Sequence, residues 1–161
     1  MAEPAPFRIT RAAASAGLAD ATERLLGMLP AWFGIPEANA GYVRSATELD
    51  GFVATTATGT VGVVLCRRHF PSTAEIHLIA VDPAWHRRGV GRALVAAVES
   101  EVIGDGGRLL EVKTLGPSHP DEGYAKTRAF YRSVGFLPLE EFHDLWPGNP
   151  ALILVKPLHR R

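Results

Sequence analysis

The stretch VDPAWHRRGVGRAL, Val81 to Leu94, decides how the rest of the chain is read. A strand-like run ends at Asp82-Pro83. Three arginines and a histidine then crowd around Gly89 and Gly91, and an apolar run of helical spacing follows. In a strand–turn–helix, the first N–H groups of the helix lack intrahelical partners, and the helix dipole adds partial positive charge. Gly89 and Gly91 let the backbone approach an anion with no Cβ in the way. His86, Arg87, Arg88 and Arg92 add side-chain charge. The stretch reads as an anion-binding turn, or more simply as a tight turn carrying solvated arginines.

Working outward, the flanks alternate strand and helix. Upstream lie a short strand FRITRAA, with Phe7 and Ile9 alternating against Arg8 and Thr10, a helix with Leu18, Leu25, Leu26 and Leu29 at helical spacing, and a second helix opened by Pro36. Three strands follow: GFVATTA, GTVGVVLCRRHF and TAEIHLIAVDP. The helix after the turn is expected from Gly89 to Ile103, with Val90, Leu94, Val95, Val98 and Val102 on one face. Downstream come a strand RLLEVKTL, a loop GPSHPDEG, a helix YAKTRAFYRSVG stopped by Gly135, and two strands, FLPLEEF and ALILVKPL, joined by HDLWPGNP. The fold class expected is α/β, a mixed sheet of about seven strands with about four helices on it.

The chain's 161 residues fit one domain, with residues 1–6 expected to fray. Seventeen basic and seventeen acidic residues balance, which argues against nucleic acid as a partner. No apolar run reaches membrane-spanning length, and no signal pattern opens the sequence, so a cytoplasmic protein without membrane partners is expected. The one cysteine, Cys66, excludes an internal disulfide and reads as a small buried strand residue. No Cys/His spacing suggests a zinc site, and no metal is expected.

Three phosphate-binding patterns compete for the glycine turn. A P-loop needs Lys then Ser or Thr, where Arg92-Ala93 stands. A dinucleotide fingerprint needs a third glycine, where Leu94 stands. An acyl-CoA pyrophosphate loop, Gln/Arg-x-x-Gly-x-Gly/Ala, fits His86-Arg87-Arg88-Gly89-Val90-Gly91 apart from its first residue.

AEIHLIAVDPAWHRRGVGRALV followed by AFYRSVGF resembles the GNAT superfamily of N-acetyltransferases, and the likeness runs from the first strand to the last. The resemblance implies a sheet splayed open at its centre and acetyl-CoA as co-substrate. Pantetheine would pair with the backbone of Leu78, Ile79, Ala80 and Val81. Pyrophosphate would sit on the turn from His86 and Arg87 through Arg88, Gly89, Val90 and Gly91 to Arg92. Tyr131 would protonate the leaving thiolate. Glu75 falls where relatives carry a general base. His77, on the same strand face by period two, is the alternative base. Tyr124 stands where relatives often carry an Asn that touches pantetheine, and Thr127 stands where they carry Ala.

The acceptor expected is a primary amine of a small molecule, met by Trp32, Phe33 and Tyr42, by Glu140, Glu141, Asp144 and Trp146, and by His119, Asp121 and Glu122. A peptide N-terminus remains an alternative, as does an acyl-CoA-binding module without turnover. The hydrophobic last strands are able to pair across a two-fold axis, although no residue demands a homodimer.

Overall fold

The computed structural model describes residues 6–160; of the segment expected to fray, residues 1–5 lie outside the described residues. The element order is β1 (Arg8–Ala12), α1 (Ala16–Gly27), α2 (Pro36–Ser45), β2 (Gly51–Thr56), β3 (Gly59–Phe70), β4 (Thr73–Val81), a 3-10 turn (Pro83–Trp85), α3 (Val90–Gly104), β5 (Leu109–Leu115), α4 (Glu122–Ser133), β6 (Leu137–Trp146) and β7 (Asn149–Pro157). The strands form one seven-stranded sheet in the order β1-β2-β3-β4-β5-β7-β6. It is mixed: β4 and β5 run parallel, whereas β1–β2, β2–β3, β5–β7 and β6–β7 are antiparallel. This is the α/β architecture the sequence pattern implies.

The described residues divide into two compact units, residues 6–67 with 78–100, and residues 68–77 with 101–160. In the first, β1, β2 and the start of β3 form a meander. Gly51 sits opposite Leu65 in that ladder, where a side chain would run into the Val64 carbonyl. Helix α1 begins at Ser15, whose Oγ accepts from the Leu18 N–H at 3.0 Å. Pro36 opens α2 in its first turn. Leu18, Leu25, Leu26 and Leu29 bury one stripe of α1 and the segment after it against Val63, Leu65, Leu78 and Ala80. Gly62 meets Val90 and Leu94 at the start of α3, and a Cβ there would lie 2.9 Å from Val90 Cγ1.

In the second unit, β5 pairs with β7 along its whole length, from Leu109↔Pro157 to Leu115↔Ala151. Its ladder with β4 covers only Thr73↔Leu109 to Ile76↔Val112. Lys113 to Leu115 are therefore paired in these ladders with β7 alone. Helix α4 starts at Glu122, two residues earlier than the sequence suggests, because the Asp121 carboxylate accepts from the Tyr124 N–H at 3.0 Å. It ends at Ser133, and Gly135, whose φ of 101° is open to glycine, keeps the chain from continuing the helix.

The last two strands correct a boundary. HDLWPGNP is not an open loop: β6 continues to Trp146 and β7 starts at Asn149, around a turn with Gly148 at φ 74°. Cys66 lies on β3 as expected but is only partly buried. Among the described residues, no helix is long and apolar enough to cross a membrane.

Candidate active site

The first unit carries the glycine turn. Arg87 takes φ 61° and Gly89 φ 85°, both left-handed. For arginine this conformation is costly, and backbone strain of this kind clusters at functional loops. Turns that alternate handedness make concavities of N–H groups suited to anions. The Ala93 N–H bonds the Gly89 carbonyl at 3.0 Å, so the Val90, Gly91 and Arg92 N–H groups precede that first helical bond. No atom lies within 4 Å of where a Gly89 Cβ would stand, so glycine is required there by φ rather than by space.

The side chains of the turn divide their work. Arg88 lies over the Trp85 ring, 4.2 Å from its centre. Phe7 meets the same ring edge-on. His86, at the position where the motif has Gln or Arg, turns back onto its own strand: Nε2 lies 2.8 Å from the Val81 carbonyl oxygen. Of the strand residues expected to pair with pantetheine, Val81 thus has its carbonyl already engaged. Trp32 packs edge-on against His86. Phe33 and Tyr42 pack against one another and against the core of α1. These three aromatic residues are therefore partly core, not a bare acceptor surface.

The second unit carries the titratable cluster. The register sets Glu75 of β4 opposite Glu111 of β5. Two like charges in adjacent strands repel, and Lys113 resolves the conflict. Its Nζ donates to Glu75 Oε2 at 2.9 Å and to Glu111 Oε1 at 2.8 Å. The other oxygen of Glu75 lies 2.7 Å from His69 Nε2. Burial pushes the Glu75 carboxyl up, but the hydrogen bonds of Lys113 and His69 and their charges outweigh burial and hold it below the ordinary carboxylate value. Burial pushes Lys113 down, and its two carboxylates outweigh that and raise it. The ligand atoms of His69, Glu75 and Glu111 lie within 4.8 Å of one another. The Lys113 ammonium already bonds both carboxylates, so the cluster supplies its own cation.

Glu75 also departs from the period-two reading of β4. Ala74, Glu75 and Ile76 are all buried, and alternation resumes only from His77, which is half-buried. Tyr131 is 4% exposed on α4, with its ring 5.4 Å from that of Phe130 and 5.6 Å from that of Phe136. Tyr124 is half-buried in the first turn of the same helix.

Two acceptor-side acids hold the chain together. Glu141 accepts from the Ser118 N–H at 2.9 Å and from its hydroxyl at 2.8 Å. Gly116 is needed beneath it, since a Cβ there would collide with Glu141 Oε1. Asp121 is the cap of α4. Arg128, almost fully buried, donates to the Leu115 carbonyl at 2.8 Å. Sequence reasoning passed over His69 and Lys113. The pattern that could have found Lys113 is Glu-x-Lys on β5, which puts an acid and a base on one strand face.

The comparisons agree with this architecture. An acetyltransferase (GNAT) domain family matches residues 48–138, more than half of the chain. A Mycobacterium leprae protein of uncharacterised function is 39% identical over 83 residues, a match that spans 52% of this chain and 21% of that protein. A GNAT-family protein from Desulfovibrio desulfuricans has a solved structure similar at a TM-score of 0.82 and 24% identity, covering 95% of this chain and 99% of that one. A GNAT-family acetyltransferase from Elizabethkingia anophelis, solved with acetyl-CoA bound, is similar at a TM-score of 0.69 and 18% identity, covering 95% of this chain and 99% of that one. The strand, left-handed glycine turn and helix all lie inside the matched segment, and the chain belongs to the GNAT acetyltransferase family.

Proposed function

We propose that this chain transfers an acetyl group from acetyl-CoA to the primary amine of a small molecule. The observation that carries the reading is the turn from Arg87 to Arg92, whose left-handed Arg87 and Gly89 precede the opening N–H groups of α3. That geometry suits the CoA pyrophosphate. The backbone of Leu78, Ile79 and Ala80 would take the pantetheine arm, and Tyr124 stands in the sequence where relatives often carry an Asn that touches it.

The chemistry needs a neutral amine, because a primary ammonium with a pKa near ~10 is no nucleophile. The β4 face supplies the base, Glu75 or His77. The amine nitrogen attacks the thioester carbonyl, a backbone N–H near Ile79 or Ala80 stabilises the oxyanion, and the C–S bond breaks. Tyr131 gives its phenolic proton to the thiolate, and the second proton of the attacking nitrogen, lost as the amide forms, restores it. Holding donor and acceptor together supplies the rest of the rate.

Isothermal titration with acetyl-CoA, with ATP and NAD as controls, tests the donor half. Micromolar binding selective for CoA supports it, and no binding overturns it. Thiol release on a panel of a polyamine, an aminoglycoside, free lysine and an alanine-ended peptide tests the acceptor half. Turnover on the peptide alone would replace the small amine with a peptide N-terminus. Binding without turnover on any amine would leave an acyl-CoA-binding module.

A further inference from the structure

Among the described residues, Arg87 is the only non-glycine with a positive φ, at 61°. A left-handed arginine is costly and persists only where its neighbours impose it. The chain on either side shows how they do so. The Asp82 N–H donates to the Val61 carbonyl at 2.9 Å and anchors the end of β4. The Asp82 carboxylate accepts from the Ala84 N–H at 2.9 Å. The N–H groups of Trp85 and His86 donate to the carbonyls of Asp82 and Pro83 at 2.8 and 3.2 Å. His86 is thus reached through a closed turn, and its ring points back along the chain. A carbonyl only accepts, so Nε2 carries the hydrogen and donates to Val81, five residues earlier, at 2.8 Å. The Trp32 ring meets the imidazole edge-on, with 5.9 Å between centres. On the far side of Arg87, the Arg88 guanidinium lies 4.2 Å from the centre of the Trp85 ring. Two side chains that the sequence offers to an anion are therefore tied to the protein, one on each side of the strained residue.

We propose that His86 is a positioning residue of the donor site: by holding the Val81 carbonyl it keeps Arg87 left-handed, and so aims the N–H groups of the turn before a donor arrives. This rests on the reading of the turn as the seat of the CoA pyrophosphate. The role of the histidine is geometric, a brace on the loop rather than a charge offered to phosphate. Recognition then falls to the N–H groups of Val90, Gly91 and Arg92, which precede the first helical bond from Ala93 to Gly89. A turn already held in its binding form loses less freedom when the anion binds, which raises affinity. Trp32 backs the brace by packing on the ring that makes the bond. Trp32, Val81, His86 and the turn itself all belong to one compact unit.

The test is a double-mutant cycle on the full chain, read by calorimetry with acetyl-CoA. His86→Ala should weaken binding about tenfold, the factor to which the strain of one left-handed residue corresponds, while the far-ultraviolet spectrum stays native. Glycine adopts that φ without a brace. In an Arg87→Gly background the same His86→Ala step should therefore cost less than about twofold, and the cycle isolates this dependence. His86→Gln, whose amide nitrogen stands where Nε2 does, should keep most of the native affinity. In the free protein, backbone chemical shifts should report a left-handed Arg87 in the native chain and its loss in His86→Ala. An equal loss of affinity in both backgrounds would make His86 a direct phosphate contact and overturns the proposal. Native affinity in His86→Ala overturns it too, as does an Arg87 that stays left-handed without the ring. A native chain that binds no acetyl-CoA overturns the pyrophosphate reading of the turn, and the donor role of His86 with it, whatever the chemical shifts show.

Discussion

Tyr131 and Glu75 look alike in the sequence, as polar groups on apolar elements, yet their surroundings assign them different work. Tyr131 keeps its ring between Phe130 and Phe136, so Tyr131→Phe preserves the packing and removes only the hydroxyl. Turnover should fall roughly ten- to a thousandfold with acetyl-CoA affinity unchanged, read by steady-state kinetics and calorimetry. Glu75 is an ion-pair member as well as a candidate in the chemistry. Glu75→Gln should cost about 2 kcal/mol near pH 7, below the range for fully buried pairs because His69 and Lys113 are partly exposed. Its lowered folded pKa fixes the pH dependence. The stabilisation is complete above the ordinary carboxylate value and is lost as pH falls through the folded value. Lys113 is raised, so its share is complete below the ordinary lysine value and fades only as pH climbs through the higher folded one. In urea titrations, the gap between native and Glu75→Gln should hold across neutral pH and close on acidification.

At the scale of elements, two glycines make contrasting demands. Gly89 has open space but φ 85°, so Gly89→Ala strains only the turn's backbone. That strain is about 1–2 kcal/mol, or about a tenfold change in an equilibrium constant. Calorimetry should show acetyl-CoA affinity down by that order while the far-ultraviolet spectrum stays native. Gly51 lies in the β2–β3 ladder against the Val64 carbonyl, a backbone atom that has nowhere to go. Gly51→Ala should therefore cost on the order of 3 kcal/mol or more in chemical denaturation. The elements themselves were legible in the sequence because each rests on local signals. The Leu18 to Leu29 spacing, Pro36 and Gly135 mark helices, and alternation of Phe7 and Ile9 marks β1. Boundaries misread were those fixed by a single side-chain bond or a tight turn: Asp121 draws α4 back to Glu122, and Gly148 converts an apparent loop into a hairpin.

For the whole molecule, formal net charge is zero. Donor recognition then has to come from the local field of the turn, not from a global one. Acetyl-CoA at about a hundred times its dissociation constant should stabilise the fold by about 2.7 kcal/mol. For a chain of this size that raises the melting temperature by roughly 5–10 °C. ATP and NAD at the same concentration should leave it unmoved, and thermal-shift measurement decides between these outcomes. The sequence by itself determined the order of strands and helices, the glycine turn and its arginines, and the placement of Glu75 and Tyr131 on their elements. Periodicity, capping and glycine conformation act over a few residues, so their signals survive in one dimension. Only the tertiary structure decided that Glu75 pairs with Lys113, 38 residues away, and that Glu141 holds Ser118. Those partnerships follow from strand register and from which loop crosses which strand. Neither is written in any local stretch of the chain, because the energies that select them arise only once distant segments are packed together.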